Sequence, residues 1–180
     1  MVELQPIGRV RIGISELGDV VWEDLVSEVV IEEKCAAALQ GIEEFSHVWV
    51  IFWLHQRDRE PILKVHPEGR PELPEVGVLA TRSPRRPTPI AMTAVRLLER
   101  RGHVLVVRGL DALDGTPVLD IKPYLVRGDL IPEATVPGWL QRLWQMHDAE
   151  RPGPCQSPKF VIASAEAEAL STAKGKQSLS

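Results

Sequence analysis

A chain of 180 residues with 44% hydrophobic and 26% charged side chains has a globular composition, long enough for one domain with a proper core or for a domain plus an appendage. Its net charge of −4 argues against indiscriminate coating of nucleic acid but leaves room for a local basic patch. No apolar run approaches the roughly 18–20 residues of a membrane span, no secretory signal is visible, and Cys35 and Cys155 have no metal-ligand spacing, so the expectation is a cytoplasmic protein with free thiols, no membrane partner and no metal.

Residues 7–14 (IGRVRIGI) alternate apolar and polar side chains, the pattern of a strand with one buried face. Gly18 and Asp19 signal a turn, and the β-branched run 25–31 (LVSEVVI) predicts a second strand. Residues 32–40 (EEKCAAALQ) put acids first and helix formers next, with Gly41 beyond them, the polarity of one short helix. The seven apolar residues 48–54 (VWVIFWL) are too few for a core helix and rich in aromatic and branched side chains. They predict a strand buried on both faces.

Residues 76–81 predict another short strand. Segments 93–99 and 104–110 flank Arg100, Arg101, Gly102 and His103, a hairpin signal. Asp114 and Gly115 mark a tight turn before a short strand at 118–121. From 136 to 148 the period changes: Pro137 suits a first helical turn, and Trp139, Leu140, Leu143, Trp144 and His147 recur at helical spacing. Residues 151–154 (RPGP) break the chain, 160–162 (FVI) are apolar, 164–173 have a helix-compatible composition, and the tail reads as frayed. Many short strands, little helix before the C-terminus and no βαβ alternation predict a mainly β fold, an antiparallel barrel or sandwich with peripheral helices.

Four polar segments fall at the ends of apolar ones: Phe45-Ser46-His47, His55-Gln56, the Arg/Pro loop TRSPRRPTPIAMT (81–93), and GLDALDGTPVLDIKPY (109–124). In the Arg/Pro loop, prolines restrict φ and push the residues before them toward extended conformations. Arg82, Arg85 and Arg86 therefore lose less freedom on binding, and guanidinium groups suit paired contacts with carboxylate or phosphate. The loop is either an anion-binding element or a rigid connection with solvated charges. Asp111, Asp114 and Asp120 could pair with a cation or a ligand hydroxyl, or simply form turns. Lys122 could pair with Asp120. His47, His55 and His66 have no metal-ligand spacing, and no Gly-x-Ser-x-Gly turn exists for a hydrolase. The five tryptophans read as core or interface anchors.

Taken in order, GIEEFSHVWVIFWLH, HPEG, GVLATRSPRRPTPI and GLDALDGTPVLDIKPY resemble the TsaA-like (TrmO) family of S-adenosyl-L-methionine-dependent tRNA methyltransferases, over about residues 7–124. The resemblance implies a small TsaA-like β-barrel, assigned to residues 1–135, and the change of period predicts a helical extension over 136–180 packing on it. It implies a homodimer that binds the cofactor near the subunit interface. It implies methyl transfer to N6 of threonylcarbamoyladenosine beside the anticodon, with the tRNA anticodon loop as partner. The cofactor-binding set it implies is His55, Gln56, Arg82, Arg86, Met92, Asp111, Ala112, Leu113 and Asp114. Arg85, Lys122 and Tyr124 are expected to meet the substrate, and Asp120 or His47 to accept the proton, a role that water or the substrate's own carboxylate could also serve. Thr88 stands where the family usually has Asn, and Ala91 where it has Gly; the N-terminal Pro-Arg-Gln of many bacterial relatives is absent from ISELGDVVWE. These departures keep two alternatives open: a methyltransferase for another RNA or small molecule, and a non-catalytic dimeric barrel that binds the cofactor or a nucleotide.

Overall fold

The computed structural model describes residues 3–12, 21–56 and 60–150. Eight strands lie among them: β1 Gly8–Arg11, β2 Val26–Ile31, β3 His47–Trp53, β4 Lys64–Val65, β5 Val76–Gly77, β6 Ile90–Arg101, β7 Val104–Arg108 and β8 Pro117–Pro123. Six of them form a closed antiparallel barrel in the order β1-β2-β7-β6-β3-β8, while β4 and β5 make a separate two-stranded ribbon. Closure comes from β1, which pairs with β2 along its whole length and with β8 through Gly8 and Arg9. A closed sheet leaves no row of unpaired backbone groups at its margin.

Alternation along each strand fills the barrel. Val10, Val29, Ile31, Val48, Val50, Phe52, Val95, Leu97, Leu105, Val107 and Val118 point inward and are buried. On β3 the pattern is stricter than the apolar run VWVIFWL predicts. Val48, Val50 and Phe52 are buried, but Trp49, Ile51 and Trp53 are only half-buried on the outer face. Among the described residues the strand is therefore buried on its inner face only, unlike a strand of a parallel sheet sandwiched between helices.

Other elements match or shorten the sequence expectations. The predicted hairpin forms between β6 and β7, with Gly102 at φ 61° in the turn. Residues 32–40 wind as a 3-10 helix over Glu33–Leu39. The strand expected at 76–81 stops after Gly77 and continues as a 3-10 turn, Val78–Ala80. Arg100 Nη1 donates to Glu43 at 3.0 Å, tying the 3-10 turn Ile42–Glu44 to β6. That backbone turn and the guanidinium together hold the Glu43 carboxyl below its ordinary range, backbone hydrogen bonding contributing most.

Two short helices follow the barrel strands, α1 Val126–Asp129 and α2 Gly138–Glu150. The chain divides into compact units at residues 1–135 and 136–180, the same boundary at which the hydrophobic period changes. Helix α2 starts one residue after Pro137, and Leu143 is its buried residue. The turn at Gly18-Asp19, the end of the strand at residues 13–14, Cys155 and the segments expected beyond 150 lie outside the described residues. No helix among the described residues is long and apolar enough to cross a membrane.

Gly8 shows how tightly the closure is built. A Cβ there would sit 2.4 Å from the carbonyl oxygen of Val30 and 2.9 Å from the Cα of Ile31. Both are backbone atoms of the neighbouring strand, so relief requires β1 and β2 to part. Gly8→Ala is expected to destabilise the barrel by about 1–3 kcal/mol, as overpacking does. Urea unfolding with tryptophan fluorescence measures it, and an unchanged midpoint would show that the closure is looser than this.

Candidate functional site

Antiparallel order dictates which chain segments share a rim. The start of β2, the end of β7, the start of β6, the end of β3 and the start of β8 all lie at one end of the barrel. The polar segments 54–56, 81–89 and 111–116 follow or precede these strand ends, so three stretches far apart in sequence meet there. They surround a cavity of about 590 Å³, within the roughly 300–1,000 Å³ range of small-molecule sites.

Of the site residues expected from sequence, His55, Gln56, Arg82, Arg85, Arg86, Met92, Asp111, Ala112 and Leu113 line this cavity. Phe52, Leu54, Ile90, Ala91 and Leu113 supply apolar wall, and Thr93 and Thr116 supply hydroxyls. The Arg/Pro loop is pinned from several sides. Thr81 Oγ1 donates to the Val78 carbonyl at 2.8 Å and accepts from the Ser83 N–H at 3.1 Å. The Arg85 N–H donates to Ser83 Oγ at 3.3 Å, and the Arg85 carbonyl accepts from the Ile62 N–H at 3.0 Å. Loop stiffness therefore comes from hydrogen bonds as well as from the prolines.

The opposite wall is the 111–116 turn. Its two aspartates face different ways. Asp111 lines the cavity and accepts the Thr93 hydroxyl. Asp114 is not in the lining; its Oδ1 accepts the Ile12 N–H at 2.8 Å, just beyond β1. Gly115, at φ 73°, donates its N–H to the Val10 carbonyl at 2.9 Å, which stitches the same turn to β1. Asp114, expected from the family resemblance to contact the cofactor, thus lies outside the cavity lining and bonds the chain leaving β1.

His47, Asp120, Lys122 and Tyr124 do not line the cavity. His47 opens β3 and His55 follows its end, so the seven-residue strand, roughly 20 Å long at about 3.3 Å per residue, puts them at opposite rims. The Ser46 hydroxyl lies 2.9 Å from His47 Nδ1, and the ring of Tyr124 packs edge-on to His47 and tilted against Trp49. Asp120 and Lys122 form an ion pair at 2.7 Å. A bulge explains their place: Ile51 pairs with Asp120 but Phe52 pairs with Val118, leaving Leu119 extra. The inserted residue turns Asp120 and Lys122 onto the outer face shared by Ile51 and Trp49, while Val118 stays inside.

Sequence reading missed Trp22, Phe52 and Thr93 as lining residues. Trp22 sits just before β2, and its five-fold tryptophan background gave it no distinguishing signal. Thr93 was legible in principle, as a hydroxyl in an otherwise apolar run that faces an aspartate-rich turn. Among the described residues no group of three His, Cys, Asp or Glu side chains could hold a metal ion.

With this geometry in hand, similarity to known proteins is informative. Residues 18–130 match the family described as the tRNA-methyltransferase O N-terminal domain. A protein of Archaeoglobus fulgidus named as a probable S-adenosyl-L-methionine-binding protein is 39% identical over 145 residues, covering 78% of this chain and 38% of that protein. The mouse tRNA (adenine(37)-N6)-methyltransferase is 44% identical over 93 residues, covering 51% of this chain and 21% of the mouse protein. The crystal structure of TrmO from Pseudomonas aeruginosa superposes with a TM-score of 0.59 at 31% identity, covering 75% of this chain and 61% of that one. The chain thus spans less than two thirds of each of these three.

Proposed function

The chain belongs to the family of the tRNA-methyltransferase O N-terminal domain, and on that footing we propose that it is an S-adenosyl-L-methionine-dependent methyltransferase. Its proposed acceptor is N6 of threonylcarbamoyladenosine at position 37 of tRNA, and its proposed place of action the cytoplasm. The observation that carries the reading is the rim cavity whose walls are the Arg/Pro loop on one side and the 111–116 turn on the other.

The cavity's residues fit the cofactor. Phe52, Leu54 and Leu113 offer an apolar surface for a nucleoside base, Asp111 a carboxylate for ribose hydroxyls, and the arginines a partner for the methionyl carboxylate. When bound, S-adenosyl-L-methionine supplies a methyl group already activated on a positively charged sulfur. The protein's work is then mainly to position the acceptor nitrogen. A ring of acids beside the sulfur would stabilise the charged ground state and slow transfer. Asp111 is the sole carboxylate lining the cavity among the described residues, in keeping with that requirement.

A nitrogen that has gained a methyl group gives up its proton readily, so solvent at the open rim suffices as acceptor. His47 and Asp120, the acceptors expected from sequence, are off the cavity. His47→Ala and Asp120→Asn are each expected to retain turnover within about ten-fold, whereas a positioned general base contributes roughly 10²–10⁴-fold. A loss in that upper range would return the role to the residue concerned.

The protein is also proposed to act as a homodimer. The outer face of β6, β3 and β8 carries Trp49, Ile51 and Trp53, with Met92 46% exposed beside them. Sedimentation of the purified protein reads its mass directly.

The deciding assay supplies labelled S-adenosyl-L-methionine and tRNA with or without the threonylcarbamoyl group, followed by digestion to nucleosides. Label confined to the modified adenosine is expected. Cofactor binding with no label in any RNA would instead support a non-catalytic binding protein.

A further inference from the structure

The outer wall of the barrel carries a row of polar side chains that the rim cavity does not use. His47 of β3 stands opposite Arg96 of β6, and Arg96 stands opposite Arg108 of β7. All three are exposed, while Val48, Val95, Leu97 and Val107 beside them are buried inside. Like charges directly opposite on one sheet face destabilise it. Three other arginines of this sheet are each relieved by a carboxylate: Arg11 by Glu28, Arg100 by Glu43 and Arg101 by Glu99. Arg96 and Arg108 have no ion pair among the described residues.

The row leads to the cavity. Adjacent strands lie about 4.8 Å apart, so the backbones at His47 and Arg108 are separated by roughly 10 Å. Barrel strands tilt by about 35–45° from the axis, so a row running straight across them climbs the wall diagonally. It starts at His47, on the rim away from the cavity, and ends at Arg108, the last residue of β7. Arg108 faces Val26 at the start of β2. Asp111, three residues beyond Arg108, lines the cavity. That stretch spans at most about 11 Å.

A row of unpaired guanidinium groups on an open wall suits a chain of repeating anions rather than one small ligand. Phosphate contacts set the register and orientation of a nucleic-acid strand. RNA is read chiefly where its strand is single and its bases splay out. A strand fixed along this row reaches the cavity mouth with its phosphates on the wall and a base free to enter.

We propose that Arg96 and Arg108, with His47 beside them, form a backbone track that holds the RNA strand next to the acceptor nucleotide by its phosphates. The inference rests on the RNA methyltransferase reading above and adds the surface that grips the strand outside the cavity.

The test is equilibrium binding of threonylcarbamoylated tRNA to the full chain, by fluorescence anisotropy between about 50 and 200 mM salt. Removing two phosphate contacts in the double variant Arg96→Gln/Arg108→Gln is expected to lower the slope of log affinity against log salt by about 1.4–1.8, at roughly 0.7–0.9 per contact. Affinity at the lowest salt should fall about ten-fold or more. The unfolding midpoint and S-adenosylhomocysteine affinity should not fall. The double variant Arg11→Gln/Arg101→Gln removes the same charge from paired positions and should leave the slope nearly unchanged. Absence of tRNA binding by the wild type overturns the proposal, as does an unchanged slope in the first variant. An equal drop in both variants overturns it by showing an effect of net charge alone. A loss of S-adenosylhomocysteine affinity overturns it by placing Arg108 in the cofactor site. Trp49, Ile51 and Met92 follow on the same outer face, so a change of mass on sedimentation overturns it by assigning the row to self-association. Failure of methyl transfer in the labelling assay, with the row-dependent slope intact, would sink the enzymatic reading and leave the track standing. Normal methylation with an unchanged slope would sink the track alone.

Discussion

Replacing Phe52 with alanine is expected to cost about 3–5 kcal/mol of folding stability, the usual range for a buried aromatic ring. Phe52 is 1% exposed and sits on β3 between Ala91 of β6 and Val118 of β8. Its ring therefore packs where three strands meet inside the barrel. Natural domains are stable by only about 5–15 kcal/mol, so one substitution removes a large share. The same ring lines the rim cavity, so its loss also opens the floor of the proposed cofactor site. Guanidinium unfolding gives the stability change. Phe52→Leu, which keeps most of the volume, should lose much less. A Phe52→Ala protein within about 1 kcal/mol of wild type would mean that the barrel interior is not packed around this ring.

The two aspartates of the 111–116 turn should fail in opposite ways. Asp111 is exposed, lines the cavity and makes its described side-chain bond to Thr93. Asp111→Ala is expected to weaken cofactor binding roughly 10- to 150-fold, the value of one hydrogen bond to a charged group at about 1.5–3 kcal/mol. The unfolding midpoint should barely move. Asp114 accepts the Ile12 N–H at 2.8 Å, joining the β7–β8 connection to the chain leaving β1. Asp114→Ala is expected to lower stability by about 1–2 kcal/mol, because a half-buried backbone donor loses its partner. Its cofactor affinity, measured at a temperature where both proteins are folded, should change less than that of Asp111→Ala. Calorimetric titration and thermal unfolding of the two variants side by side separate the roles. Equal loss of affinity in both would mean that the turn acts as one binding element.

The contrast explains how far local pattern reaches. The turn LDALDGT with its two aspartates is visible in sequence. Which carboxylate faces the ligand is not. That depends on Ile12, 102 residues away along the chain, arriving beside Asp114 when β1 closes the barrel. The β8 segment teaches the same lesson. Read with a strict period of two, Val118, Asp120 and Lys122 share a face. The extra residue at Leu119 breaks that period, and only the pairing of β8 with β3 reveals it.

The amino-acid sequence by itself determined the local alphabet of this protein: alternating strands, the hairpin before Val104, the Gly115 turn, the change to helical spacing at 136, and a loop of arginines stiffened by prolines. Each of these depends on a residue and its near neighbours, through steric limits on φ and ψ and through side-chain periodicity. Tertiary structure alone decided that segments 54–56, 81–89 and 111–116 share one rim, that His47 and Tyr124 stand at the other, and that Trp22 joins the cavity wall. Those outcomes follow from the strand order β1-β2-β7-β6-β3-β8. Strand order is set by which inward faces pack together across long loops, and no short window of sequence carries that information.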